Sequence, residues 1–248
     1  MRAVWRTRTV IAEDAAIPND NARLYVIGDI HGRLDLLERA VVAITRDVEA
    51  HGGDALTVTL GDYIDRGPDS SGVIGCLAGN PFPTPYVALR GNHEAMFETF
   101  LVDPSVGTQW RPQGGEQTLH SYGVTVRHIV GRANALASEQ LREALPREHV
   151  SFLRSLRTSF THGRFFLCHA GVRPGVPLDQ QHDEDLMWIR EEFLLSSADF
   201  GKIVVHGHTP TPEPEVLQNR INIDTKAFAS GRLTCLVLEQ TGYRFLKV

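Results

Sequence analysis

Five short stretches of this chain combine metal-binding side chains with glycines that allow tight backbone turns. They read Gly28-Asp29-Ile30-His31-Gly32, Gly61-Asp62-Tyr63-Ile64-Asp65-Arg66-Gly67, Gly91-Asn92-His93-Glu94, His169-Ala170-Gly171 and Gly207-His208-Thr209. Carboxylate, carboxamide and imidazole groups form an oxygen and nitrogen donor set without thiolate. Such a set suits manganese, iron or zinc better than calcium or an iron–sulfur cluster. Taken singly, these Asp and Asn residues are ordinary turn or capping residues. Five stretches in order, each directly after an apolar run, argue for one assembled site.

The apolar runs are the elements that must position them. Leu24 to Ile27, Leu56 to Leu60, Tyr86 to Leu89, Phe165 to Cys168 and Ile203 to Val205 each read as a strand with a polar loop at its carboxyl end. Loops at those ends converge on one crevice in open α/β folds. Leu34, Leu37, Val41, Ile44 and Val48 recur at helical spacing between the first two runs. Arg220 to Ile223, Leu233 to Leu238 and Tyr243 to Leu246 read as further strands. The pattern predicts an α/β layered architecture in a single domain over 1–248. Residues 1–22 form a polar N-terminal arm. Residues 98–162 form a helical insertion with turns at Asp103-Pro104 and Gly114-Gly115.

Composition narrows the function classes. In 248 residues, 42% are hydrophobic and 22% charged, which excludes a disordered chain, a coiled coil and a collagen-like repeat. The net charge of −5 argues against a nucleic-acid binder. No apolar stretch is long enough to span a bilayer, and the N-terminus lacks the apolar core of a signal peptide. Three scattered cysteines exclude a disulfide framework, so the cytoplasm is the expected compartment.

The motifs Gly-Asp-x-His-Gly, Gly-Asp-x-x-Asp-Arg-Gly and Gly-Asn-His-Glu are those of the PPP family of metal-dependent serine/threonine phosphatases. Over residues 23–240 the chain resembles its small bacterial and phage members. The resemblance implies a metallophosphoesterase fold, a central β-sandwich flanked by helices, and two divalent cations, with manganese ahead of iron or zinc. It implies that Asp29 and His31 bind the first metal, that Asp62 bridges, and that Asn92, His169 and His208 complete the second site. A hydroxide held between the metals is then the expected nucleophile on a phosphoprotein or phosphopeptide. His93 is the implied general acid, with Asp65 orienting it. Arg66, Arg90 and Arg190, the last in a Trp-x-Arg motif, are the implied phosphoryl-binding guanidiniums.

Other residues have blander expectations. His206 suits a supporting or packing role, and strand alternation turns Cys168 away from the metals into the core. His51, His120, His128, His149, His162 and His182 are expected at the surface. Trp110, Gly114-Gly115-Glu116 and Ser121-Tyr122-Gly123 read either as packing and a turn or as a wall of the substrate groove. Lys226 stands where small relatives have glycine. A diadenosine tetraphosphatase-like activity on dinucleoside polyphosphates is the close alternative function. An inactive phosphopeptide-binding module is the rival from another class.

Overall fold

A computed structural model describes residues 20, 22–126, 132–239 and 242–248 of the chain. Most of the expected N-terminal arm, and His128, lie outside the described residues. The first apolar run becomes β1 (Arg23–Ile27), and α1 (Leu34–His51) follows it. β2 (Ala55–Thr59), α2 (Ser70–Ala78) and β3 (Tyr86–Ala88) continue the alternation. Helices then take over with α3 (Asn92–Val102), α4 (Gly107–Trp110), α5 (Gly115–Ser121), α6 (Ala133–Ala144) and α7 (Arg147–Ser155). Next come β4 (Ser159–His162), β5 (Phe165–Cys168), α8 (Asp183–Trp188), α9 (Glu191–Leu194) and β6 (Ile203–His206). The chain ends with β7 (Glu215–Val216), β8 (Arg220–Asn222), α10 (Ala227–Ser230), β9 (Cys235–Glu239) and β10 (Gly242–Leu246).

Two mixed sheets form, in the orders β10-β9-β1-β2-β3 and β4-β5-β6-β8-β7. In the first, β1, β2 and β3 are parallel; in the second, β5, β6 and β8 are parallel. Period-two alternation divides each strand between two cores. Leu24, Val26, Leu56 and Val58 meet Phe165, Leu167, Val205 and Ile221 between the sheets. Tyr25 and Ile27 face the other way, onto Leu37, Ile44 and the helices beyond. Phe166 and Cys168 face a third cluster with Leu186, Ile189 and Phe193. Cys168 is therefore turned into the core, as alternation requires.

The helical stretch expected to reach residue 162 is helical only to Ser155. Ser159–His162 instead pairs antiparallel with β5, with Ser159 opposite Cys168 and His162 opposite Phe165. Gly163, with φ of 53°, makes the tight connection that this hairpin needs. The hairpin also buries His162, whose Nε2 lies 3.3 Å from the Ala22 carbonyl. His149 is buried too, with Nδ1 2.9 Å from the Tyr122 hydroxyl. Both depart from the surface expectation because each ring has a long-range polar partner. Among the described residues, no helix is long and apolar enough to cross a membrane.

Asp47 fastens α1 to the sheet. It accepts hydrogen bonds from the Tyr25 hydroxyl at 2.7 Å and from Arg244 Nη1 and Nη2 at 2.9 and 2.7 Å. Burial works against its charge, but Arg244 and Tyr25 outweigh burial and hold its carboxyl below the usual range. A depressed native pKa means stability that is present above the unfolded value of ~3.9 and lost as pH falls below it. Asp47→Asn is therefore expected to cost about 1.5–3 kcal/mol near neutrality. The gap between the two melting temperatures should be smaller at an acid pH below the ordinary carboxylate value than near neutrality, because the stabilising charge is lost as the pH falls through the depressed native value. Thermal unfolding at both pH values checks this.

Candidate metal centre

Parallel pairing sets the carboxyl ends of β1, β2 and β3 side by side, and their loops are stitched together. The Ile30 and His31 N–H groups donate to the Asp62 carbonyl at 3.0 and 2.8 Å. In the second sheet, Gly207 N–H donates to the His169 carbonyl at 2.8 Å, joining the loops after β5 and β6. Two bonds then cross between the sheets. His169 Nδ1–H donates to the Leu60 carbonyl at 3.0 Å, and His208 N–H donates to Asp29 Oδ2 at 3.1 Å. Glu94, in the first turn of α3, accepts from the backbone N–H groups of Asp62, Tyr63 and Gly91 at 2.8, 2.8 and 2.9 Å. The last letter of the third motif thus has a structural task that was not anticipated: it clamps the β2 loop to α3.

The backbone is strained where the donors sit. His31, Asp62, Asp65, Arg66 and His208 all have positive φ, between 45° and 72°. Each such residue costs about 1–3 kcal/mol, which the surrounding hydrogen bonds must offset. Glycine is required beside them for a second reason. A Cβ on Gly91 would lie 2.1 Å from Asp62 Oδ1, and one on Gly207 would lie 2.1 Å from Asp29 Oδ1.

Asp62 lies between two clusters of donors. Its Oδ2 is 3.4 Å from His31 Nε2, and its Oδ1 is 3.4 Å from His169 Nε2. The first cluster contains His31, Asp62 and His93, and the second contains Asp62, His169 and His208. Asn92 Oδ1 lies 2.9 Å from both His169 Nε2 and His208 Nδ1. Nδ1–H of His31 is committed to the Ile64 carbonyl at 2.7 Å, as that of His169 is to Leu60, so both Nε2 atoms are turned toward Asp62. His208 Nε2 is buried with no hydrogen-bond partner among the described residues.

Charge in the site is equally one-sided. Asp29, Asp62, Glu94 and Asp224 are all buried. Burial, with Asp224 adding to it, raises the Asp29 carboxyl well above the ordinary range. Burial likewise raises Asp224, and it lifts Glu94 to about 7. Burial would raise Asp62 as well, but His169, His93 and His31 outweigh it and hold the carboxyl well below the ordinary range. His31 falls to about 3 and His208 to about 2, chiefly through burial. His169 rises to about 9 because Asp62 outweighs burial. Converging lone pairs and crowded buried carboxyls are the donor chemistry of a cation site, so these residues fit divalent metals.

His93 Nδ1–H donates to Asp65 Oδ2 at 2.6 Å. Burial opposes a charge on His93, but Asp62 and Asp65 outweigh it and raise its pKa. Arg66 donates from Nη1 to His31 Nε2 at 2.9 Å and from Nη2 to His93 Nε2 at 3.0 Å, so its guanidinium lies over the first cluster. Arg190 is exposed, and its Nη1 donates at 3.3 Å to Oγ1 of Thr209, the residue after His208. Arg90 is engaged elsewhere: its Nη2 donates to the carboxylate of Glu98 on α3.

His206 stays out of both clusters. β6 ends at His206 and the chain turns at Gly207, so His206 and His208 do not share a face. The His206 ring packs on Phe193 with centroids 4.9 Å apart, and burial together with Arg220 lowers its pKa to about 3. Lys226 adopts φ of 57°, the left-handed region that glycine enters freely, which explains the glycine expected at this position. Gly114 and Glu116 line a cleft of about 780 Å³ beside Arg66 and Phe228, whereas Trp110 is buried. Ser121 and Tyr122 are packing residues, bonded to Ser71 N–H and His149.

Comparison with known proteins agrees with this architecture. The calcineurin-like phosphoesterase family matches residues 22–231. Serine/threonine-protein phosphatase 1 of Salmonella typhimurium is 31% identical over 219 residues, covering 85% of this chain and 89% of that protein. An asymmetrical bis(5'-nucleosyl)-tetraphosphatase, PrpE of Halalkalibacterium halodurans, is 24% identical over 232 residues, covering 85% and 88%. Among solved structures, a candidate diadenosine tetraphosphatase superposes with a TM-score of 0.62 at 20% identity, over 94% of this chain and 96% of that one. A serine/threonine phosphatase from Saccharomyces cerevisiae gives a TM-score of 0.52 at 13% identity, over 92% and 81%. With motif loops, sheets and buried donors all in register with the match over residues 22–231, the chain belongs to the calcineurin-like phosphoesterase family, hydrolases whose chemistry implies divalent metals.

Proposed function

We propose that this phosphoesterase removes phosphate from phosphoserine and phosphothreonine in proteins or peptides, using two divalent cations, with manganese the first to try. Asp29 and His31 would hold one cation, Asn92, His169 and His208 the other, and Asp62 both. When bound, the pair supplies Lewis-acid charge against the phosphoryl oxygens and acidifies water. Arg66, at His31 and His93, and Arg190, beside the loop of His208, neutralise the remaining phosphoryl oxygens. His93 donates a proton from Nε2 to the departing oxygen while Asp65 holds Nδ1–H.

The intact Asp65–His93 pair is the observation that carries this reading. A serine or threonine alkoxide is strongly basic and needs a proton to leave. A nucleoside polyphosphate leaves as a stable anion and needs none. A phosphopeptide-binding module has no use for a positioned acid either. Three free cysteines, at 76, 168 and 235, support a reducing cytoplasm as the compartment.

A second reading, hydrolysis of dinucleoside polyphosphates, is favoured by the tetraphosphatase relative and by the cleft beside Arg66, whose wall includes the aromatic Phe228. The deciding experiment strips the protein with chelator, restores manganese, and offers phosphoserine peptide and diadenosine tetraphosphate side by side. Faster release from the peptide is the expected result. Faster hydrolysis of the dinucleotide would transfer the function to the second reading.

A further inference from the structure

The acid pair is held by residues far away in sequence. Asp65 is fully buried, and its carboxylate accepts three hydrogen bonds. His93 Nδ1–H and Trp110 Nε1–H donate to Oδ2 at 2.6 and 2.8 Å, and the Thr118 hydroxyl donates to Oδ1 at 2.5 Å. The Thr118 oxygen also accepts from the Asp65 backbone N–H at 2.9 Å and lies 2.9 Å from the Ser70 hydroxyl. Both carboxylate oxygens and the backbone of one residue are thereby fixed by α4 and α5. The segment joining those helices presses on the same turn. Arg66 N–H donates to the Gly114 carbonyl at 3.2 Å, and a Cβ on Gly114 would lie 2.3 Å from that nitrogen. Trp110 is itself immobilised, with its ring against Phe97, Phe100 and the Gly115 backbone.

A carboxylate with one imidazole partner can rotate about its Cβ–Cγ bond and lose alignment. One that accepts on both oxygens from rigid donors cannot rotate without leaving buried donors unpaired, which is costly away from water. From this geometry we infer that Trp110 and Thr118 are positioning residues for proton donation: they lock the Asp65 carboxylate, and through it the tautomer and tilt of His93. The inference rests on the proposed role of His93 as proton donor. The insertion thus has a task in the chemistry, besides walling the cleft that Glu116 and Gln117 line.

Leaving-group dependence separates this role from a merely structural one. Phosphoserine peptide requires proton donation, whereas p-nitrophenyl phosphate releases a stabilised phenolate that does not. In manganese-loaded protein, Thr118→Val and Trp110→Phe are each expected to lower kcat on the peptide about 10–100-fold. On p-nitrophenyl phosphate kcat should change less than about threefold, since only the proton-dependent step is touched. Thr118→Ser, which keeps the hydroxyl, should restore peptide turnover. Metal content should match the parent. Proton NMR of zinc-loaded protein, which holds no paramagnetic ion, supplies a readout besides activity. The strongly hydrogen-bonded His93 Nδ1–H resonance, assigned by its loss in His93→Asn, should move upfield or broaden in Thr118→Val. Equal losses on both substrates, or none, in Thr118→Val and Trp110→Phe while His93→Asn stays selective would overturn the positioning role alone. A His93→Asn variant that loses both substrates equally would overturn the proton-donor reading and the inference with it.

Discussion

Asp62→Asn is expected to abolish measurable phosphate release and to strip metal from the protein. The two oxygens of Asp62 face different histidine clusters, each 3.4 Å from an imidazole Nε2. An amide keeps the size of the side chain but removes its charge and replaces one of the two oxygens with an N–H₂ group, which cannot hold a cation. Metal catalysis is worth several kcal/mol of charge stabilisation; a loss of about 4 kcal/mol is on the order of a thousandfold in rate. Metal affinity should fall by more than the about 10–100-fold seen when only a supporting partner of a ligand is removed. Asparagine is the right probe because Asp62 has φ of 53°, a region that Asn tolerates better than other non-glycine residues. The fold should therefore survive, which thermal unfolding verifies. The decisive measurements are initial rates with excess manganese and metal content after dialysis. Full metal content with a rate within about tenfold of the parent would remove Asp62 from its proposed place.

His93→Asn should behave differently. General acid catalysis contributes about 10²–10⁴-fold, so turnover of phosphoserine peptide should fall within that range. Turnover of p-nitrophenyl phosphate should fall far less, and metal should stay bound. The last point is a real test, because His93 lies in one donor cluster with His31 and Asp62. Its Nδ1 is committed to Asp65, while its Nε2 is 3.9 Å from Asp62 Oδ2 and meets Arg66 Nη2 at 3.0 Å, a proposed phosphoryl-binding group that substrate would engage in its place. If His93→Asn loses metal as Asp62→Asn does, His93 is a ligand and the proton must come from elsewhere. If it hydrolyses the peptide at the parent rate, no acid acts at this position.

The difference between the two variants follows from how each side chain is held. Asp62 is surrounded by imidazoles, which keep its carboxyl charged through folding. His93 is held on one side by Asp65, whose carboxylate Trp110 and Thr118 hold in turn, while its other nitrogen meets Arg66 and lies 3.9 Å from the Asp62 carboxylate. Metal retention and proton donation can therefore be lost separately.

The sequence by itself determined the candidate donors and their sites along the chain. Asp29, His31, Asp62, Asn92, His169 and His208 each follow an apolar run, and a strand end with a tight polar turn is a local feature that neighbouring residues encode. The α1 face was legible for the same reason: Leu37 and Ile44 are buried and lie seven residues apart on one helical stripe. Glu94 was visible as a motif letter, but its task was not, since that depends on which backbone N–H groups point at it. Tertiary structure alone decided the remainder. Thr118 and Trp110 lie 53 and 45 residues from Asp65 and reach it only because α4 and α5 pack over the β2 loop. Arg90 turns to Glu98, β4 pairs with β5, and His149 and His162 are buried by partners distant in sequence. Periodicity records which face of an element is apolar, but not which polar group another element will bring to meet it. Those pairings arise when packing removes water and every buried donor must find an acceptor.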